Sequence, residues 1–352
     1  MTAEMSERRR LILKLVIQEH IENSNPVASD LLVRKHGLKV SSATVRNDLS
    51  ALEELGYLTH LHTSAGRVPT DSGYRYYVEN LMDRMPLTIT EQRTIRHQFY
   101  QVRSEFDQWI HLAGAVLART AQNASVVTLP RSYVARFKHI ELIAIQDTTI
   151  LIVLVLNDGN VRQQSINVDA TFMQEELSRS ADRINDVCAD ATVYKVETFL
   201  HQDRSQHNSQ ISDFEHLVLE LVIRSMRQIE EQFNQDIYSD GLMEILNQPE
   251  FAQVDRVRQV VALLQDGKEL KPLISRVLLS NGVQVVIGGE HAQDEMREYS
   301  VVLSRYGISG AAAGVLGVIG PTRMAYPRTI SAVGYISAVM SDLMGDIYGD
   351  QK

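Results

Sequence analysis

The sequence predicts an α+β chain that opens with a winged helix-turn-helix, and three observations predict it. Residues 7 to 55 carry three stretches of helical periodicity separated by tight turns. Short extended pieces around a turn follow at 57 to 69. Farther on the period shifts to strands, gives way to a mostly helical block and returns to strands, the pattern of a β-containing domain with an insertion.

The first helix, 7 to 22, has Ser6 as N-cap and an apolar stripe of Leu11, Ile12, Leu15, Val16 and Ile21, and Asn23 to Pro26 ends it. Ser29 or Asp30 caps a short second helix through Lys35, stopped by Gly37. Ser41 caps a third that runs to Leu55 before Gly56. Extended pieces at Tyr57 to Leu61 and Arg67 to Pro69 flank the turn-forming Thr63-Ser64-Ala65-Gly66, so a hairpin wing is expected. Thr70 or Asp71 opens another helix through Met82, and Pro86 marks a linker and the first domain boundary. Helices are expected at 90 to 103 and 105 to 120, then strands at Ser125 to Leu129, Phe137 to Ile145, Thr149 to Leu156 and Val161 to Asn167, with Asp158-Gly159 as a hairpin turn. Helices at 172 to 187, 211 to 234 and 255 to 264 fill the interrupting block, with a polar stretch from Gln202 to Ser209. Strands return at Val283 to Ile287, Ser300 to Ser304 and Ala311 to Ile319, and a helix from Thr329 to Met344 closes the chain.

Composition bounds what such a chain does. Its 352 residues are 44% hydrophobic and 22% charged, which excludes a disordered, collagenous or rod-like molecule. One cysteine, Cys188, excludes internal disulfides and thiolate zinc clusters, and suits a reducing compartment with the thiol in a structural, partly buried place. The polar start MTAEMSERRR predicts no targeting segment, and the longest apolar run, Ile150 to Leu156, is far short of a membrane span. A cytoplasmic location is expected.

The formal charge of -9 argues, taken alone, against a nucleic-acid binder. Its distribution removes the objection. Residues 1 to 84 hold 11 basic and 11 acidic side chains, so the whole deficit lies beyond them.

The most informative stretch is 41 to 55, SSATVRNDLSALEEL. Projected at about 100° per residue, Val45, Leu49, Leu52 and Leu55 share one face, and Ala43, Arg46, Asn47 and Ser50 the opposite one. Arginine bridges O6 and N7 of guanine, asparagine bridges N6 and N7 of adenine, and alanine meets a thymine methyl. Ser41, Ser42 and Thr44 offer hydroxyls and free amides to phosphate at the helix start. For an isolated amphipathic helix such a polar face is merely solvated. Here it follows a short helix and a tight turn and precedes a hairpin bearing Arg67, the order a winged helix-turn-helix uses to seat one helix in the major groove. His62, Ser64 and Arg67 are then expected on the DNA backbone or in the minor groove.

These residues also carry a resemblance. SSATVRNDLSALEELGYL at 41 to 58 and HTSAGRVPTDSGYRYYVENLM at 62 to 82 are similar to the HrcA family of bacterial heat-inducible transcription repressors. NQPEF at 247 to 251, LSRYG at 303 to 307 and GVLGVIGPTRM at 314 to 324 extend the likeness along the chain. Two departures stand out: Ala325 where the family usually has Asp or Asn, and Leu61 where Pro is common. The resemblance implies a winged helix over 1 to 86, a GAF-like α/β domain split into 87 to 170 and 272 to 352, and an inserted helix-rich dimerisation domain at 171 to 271. It further implies a homodimer that binds double-stranded DNA at an inverted-repeat operator of the CIRCE type upstream of chaperonin and DnaK operons, kept active by the chaperonin GroEL. Two-fold protein symmetry then meets a two-fold operator. In the long helix of the insertion, Leu217, Leu221 and Met226 give more apolar surface than one small block buries, and they are the expected dimer contact.

Other signals weigh less. The glycine-rich run 310 to 320 lacks both GxxxxGK[ST] and GxGxxG and reads as a closely packed strand rather than a phosphate cradle. His60 and His62 share a strand face but have no third ligand in register, so no metal site is expected and wing or backbone contact is favoured. Tyr74, Tyr76 and Tyr77 sit at helical spacing and read as packing residues. No nucleophile, base or metal set appears, so no catalysis and no cofactor are expected. The alternative is a GAF-like regulator or enzyme that senses a metabolite.

Overall fold

The computed structural model describes residues 5–60, 66–102, 106–130, 135–146, 148–157, 159–205, 211–232, 237–308 and 312–349. Its first helix, α1 (Glu7–Asn23), begins where the Ser6 side chain accepts the Arg9 amide and ends at Ser24 in the left-handed conformation. Gly37, at φ +60°, ends α2 (Ser29–His36) and turns the chain into α3 (Ser42–Glu54), capped by Ser41. Ile12, Leu13, Val16, Leu32, Val45, Leu49 and Leu52 are all buried and form the core of this three-helix head. Strands β1 (Leu58–Thr59) and β2 (Val68–Pro69) pair antiparallel as the base of the wing. The expected helix 70 to 82 divides into α4 (Asp71–Tyr76) and one π-helical turn, Tyr77–Leu81. Gly73 is required in α4 because a Cβ there would stand 2.2 Å from the Tyr57 carbonyl oxygen.

Next come α5 (Ile89–Gln101), opened by a capping box between Thr88 and Glu91, α6 (Phe106–Ala121) and β3 (Ala124–Thr128). The chain then builds a separate sheet from β4 (Phe137–Gln146), β5 (Thr149–Leu156) and β6 (Val161–Asn167). On it follow α7 (Gln174–Cys188), α8 (Val193–Ser205) and α9 (Asp213–Gln232). Strand β5 alternates buried and half-buried residues, and Ile150, Ile152, Leu154 and Leu156 meet Leu177, Ile184, Val218, Val222 and Met226 in one core. Helix α7 also satisfies the edge of β4. Asn185 Oδ1 accepts the Ile140 amide at 2.8 Å, and Gln174 Oε1 accepts that of Ala144 at 2.9 Å. Cys188 is buried in the same core, which pushes its thiol up to about 12.

After this unit come β7 (Ile237–Asp240), α10 (Leu242–Leu246), α11 (Val254–Asp266), α12 (Lys271–Leu278), β8 (Val283–Ile287), β9 (Tyr299–Gly307), β10 (Ala313–Pro321) and α13 (Tyr326–Gly349). The second sheet has the order β7-β3-β10-β9-β8, antiparallel throughout, with α6 and α13 packed on it. The glycine-rich strand β10 lies at its centre. A Cβ on Gly317 would stand 2.1 Å from the Val302 carbonyl oxygen, so the close packing expected of this run is what it provides.

Two compact units result: Met1–Pro130 with Asp236–Ile308 and Ala313–Lys352, and Arg131–Gln235 with Ser309–Ala312. In sequence the second unit interrupts the first over about 131 to 235, where the expected insertion ran from 171 to 271. Periodicity identifies strands without saying which sheet they join, and β4 to β6 pair only with one another. The short β7 and α12, absent from the sequence reading, belong with the larger sheet, and α8, which lies mostly ahead of the polar stretch and ends inside it, was not expected either. Residues 1 to 86, expected as the winged-helix domain, cluster with the larger sheet by contact. The expected dimer contact also needs correction: Leu217 is exposed, but Leu221 packs against the insertion's own core and Met226 is buried in it.

Candidate nucleic-acid interface

Helix α3 presents the face that its periodicity predicts. Val45, Leu49 and Leu52 are buried, Ala43, Arg46 and Asn47 are exposed, and Ser50 is half-buried beside them. Among the described residues neither the Arg46 guanidinium nor the Asn47 amide has a side-chain partner, so their donors are available to a ligand. At the helix start the Ser41 hydroxyl accepts the Thr44 amide at 3.1 Å and lies 2.9 Å from the Thr44 hydroxyl. The first amides, those of Ser42 and Ala43, have no acceptor within the helix and are suited to a phosphate.

The pose of α3 depends on a buried acid that the sequence reading passed over. Asp48, whose side chain is 4% exposed, accepts Arg8 Nε at 2.6 Å, Arg8 Nη2 at 3.2 Å and Arg9 Nε at 3.4 Å. Its hydrogen bond and charge raise the Arg8 guanidinium above its ordinary value. A second buried acid, Glu19 on α1, joins α1 to α2. Lys35 Nζ lies at 2.6 Å and His36 Nε2 at 2.9 Å from its Oε1. Burial alone would raise this carboxyl, but the bonds from Lys35 and His36 outweigh burial and hold it low. The signal for both was available: an acid at a position whose neighbours at helical spacing are apolar, within reach of a basic run.

Arg67 is less exposed than expected of a residue on the wing. Arg67 pairs with Val27 in an isolated antiparallel bridge, and its Nη2 lies 2.8 Å from Glu53 Oε2 of α3. Its side chain is 20% exposed and its Nε is buried without a partner among the described residues. His60 bonds the same Glu53 carboxylate through Nδ1. Glu53 thus ties the wing to the end of α3. His62 and Ser64, expected on the DNA backbone, lie outside the described residues. Tyr74 and Tyr77 are buried, and the Tyr76 ring lies 5.0 Å from that of Tyr57, so these side chains pack as expected.

The head also meets the larger sheet through several side chains. The Gly289 amide donates to Asp71 Oδ2 at 2.7 Å, and Arg75 donates to Glu290 and to the Val285 carbonyl. His20 Nδ1 lies 2.8 Å from the Tyr74 hydroxyl, and the Tyr74 ring 5.8 Å from that of the buried Tyr326. Burial, and secondarily the Arg323 charge, push the His20 imidazole down to about 4, against the opposing pull of Glu250. His20 is therefore neutral at ordinary pH. Among the described residues there is no group of three or more His, Cys, Asp or Glu able to hold a metal ion, and no helix long and apolar enough to cross a membrane.

Comparison with known proteins adds the following. Residues 107–330 match the family model of the HrcA protein C-terminal domain, and residues 10–70 match a DeoR-like helix-turn-helix domain. The heat-inducible transcription repressor HrcA of Roseiflexus castenholzii is 68% identical over 349 residues, covering 99% of this chain and 97% of that protein. The HrcA repressor of Herpetosiphon aurantiacus is 59% identical over 352 residues, covering 100% of this chain and 99% of its own. At greater distance, the HrcA repressor of Dehalococcoides mccartyi strain 195 is 41% identical over 345 residues, with 98% and 97% covered. A crystal structure of a protein described only as hypothetical shares the fold, with a TM-score of 0.54 at 22% identity over 97% of this chain and 99% of that one.

Proposed function

The chain belongs to the HrcA family of heat-inducible transcription repressors, and from that premise we propose that it acts as a homodimer in the cytoplasm on an inverted-repeat operator of the CIRCE type. In this reading Ala43, Arg46, Asn47 and Ser50 face base edges in the major groove, and Ser41, Ser42 and Thr44 hold phosphate. His62 and Ser64 lie on the DNA backbone, while Arg67 supports the wing through Glu53 and adds long-range charge. The observation that carries the proposal is that Arg46 and Asn47, exposed on the helix whose opposite face is the core of the head, have no side-chain partner among the described residues. A neutral head gives modest electrostatic affinity, so tight binding requires two heads on one operator. The resemblance to the family supports repression of chaperonin and DnaK operons and activation by GroEL. The proposal gives the chain no catalytic step.

Footprinting on duplexes with both half-sites, one half-site and a scrambled repeat tests it. Protection of both half-sites together is expected, and adding GroEL should raise the active fraction. Equal protection of the scrambled duplex would refute operator recognition.

One observation favours a metabolite-sensing role. A cavity of about 560 Å³ is lined by Asp71, Phe251, Arg256, Arg297, Tyr299 and Thr322 among others, and the buried Tyr299 hydroxyl has no partner among the described residues. A saturable thermal shift with a small metabolite would support that role, and a shift with operator DNA alone would oppose it.

A further inference from the structure

The GPTRM segment places one arginine where three parts of the chain meet. Arg323 Nη1 donates to the Ile21 carbonyl at 2.5 Å, Nε to Glu250 Oε1 at 2.7 Å, and Nη2 to Gln248 Oε1 at 2.8 Å and Glu250 Oε2 at 3.2 Å. Ile21 is in the last turn of α1, where carbonyls lack helical partners and a cation is favoured by the helix dipole. Gln248 and Glu250 precede α11, and Arg323 itself lies between β10 and α13. Its side chain is 9% exposed against 27% for Arg75, which also joins the head to the sheet, while the two carboxylate partners, Glu250 and Glu290, are each 35% exposed. Arg323 is thus the more desolvated ionic contact of the two, and the planar fork of guanidinium against carboxylate fixes direction as well as distance.

We propose that Arg323 is a positioning residue for operator recognition: by clamping the end of α1 to the Gln248–Glu250 segment, it sets the angle at which each reading head leaves the core, and so the half-site spacing the repressor accepts. The proposal rests on the reading that two heads of a dimer engage one inverted repeat. Two heads act as a bivalent ligand, and their combined affinity depends on the effective concentration of the second head at its half-site. A rigid clamp concentrates that head at one spacing. Without the clamp, the head samples a wider range of angles and the advantage spreads thinly over many spacings. None of the partners of Arg323 belongs to α3, so its loss removes no hydrogen bond from the proposed reading helix.

The experiment uses the full-length chain and duplexes carrying two half-sites at a series of spacer lengths, together with a duplex carrying a single half-site. The native chain is expected to bind one spacing best. Arg323→Ala should lose about tenfold or more at that spacing, flatten the spacer profile, and keep its single half-site affinity. Arg323→Lys, which keeps the charge but not the fork, should fall between the two and serves if the alanine variant does not fold. A native spacer profile in both variants that fold overturns the proposal, as does an equal loss on single and double sites, which marks general damage to the head. If the native chain binds one half-site as tightly as two, the paired-head reading fails, and the proposal with it.

Discussion

Replacing Arg46 by alanine removes a side chain that has no partner among the described residues and that the proposed operator reading requires. Arg46 is exposed on α3 and has no partner among the described residues, whereas its neighbours Val45, Asp48 and Leu49 are buried. The substitution leaves no buried group unpaired and opens no cavity, so stability should change by less than about 0.5 kcal/mol. Binding is another matter. A bidentate arginine–guanine contact contributes about 1–3 kcal/mol of discrimination, which is roughly 5- to 150-fold in affinity per head. With two heads on one operator the loss approaches twice that free energy. Fluorescence anisotropy with operator and with point-substituted operators reads the loss, and thermal denaturation reads stability. The variant should also lose its preference at one base pair per half-site. Unchanged affinity and preference would remove Arg46 from the reading face. A large fall in Tm would show that Arg46 has a structural role, contrary to its exposure.

Three further outcomes follow from the packing. Gly73→Ala puts a Cβ 2.2 Å from the Tyr57 carbonyl oxygen and should destabilise the head by about 1–3 kcal/mol; a native urea midpoint would show that α4 can shift freely. Because the His20 imidazole titrates near 4 in the fold and about 6.5 when unfolded, the unfolded chain takes up the proton first as pH falls. Its contribution to stability is therefore complete above pH 6.5 and declines towards pH 4. The urea midpoint of His20→Gln should fall less steeply than that of the native chain across this window, and parallel curves would contradict the burial argument. Ala325 precedes α13 and its carbonyl accepts the Thr329 amide at 3.0 Å, so it occupies the N-cap position without a capping side chain. Ala325→Asp should stabilise by about 1 kcal/mol, seen as a Tm higher by a few degrees, and an unchanged Tm would show that the helix start is satisfied otherwise.

Much of the head was legible in the sequence because its determinants are local. The cap at Ser41, the left-handed turn at Gly37 and the three-four spacing of Val45, Leu49 and Leu52 act within a few residues of one another, and the exposed face of α3 follows from the buried one. Strands β5, β6 and β8 lie where alternation and turn residues put them. The acidic total misled until it was divided along the chain, and even then a count could not tell a free arginine from an engaged one. Arg46 is open, while Arg67 is bound to Glu53 and Arg8 and Arg9 are bound to Asp48.

The sequence by itself therefore determined which segments are helix or strand in the head and which face of α3 is left exposed, since both depend on interactions of short range along the chain. Only the tertiary structure decided which sheet each strand joins and which arginines are spent inside the fold. It moved β4 to β6 into the insertion and showed Met226 to be core. It also brought Arg323 to the Ile21 carbonyl from 302 residues away. The physical reason is the same in each case. A helical or strand period reports only that a side chain is covered, while the identity of what covers it is fixed by contacts between segments far apart in the sequence.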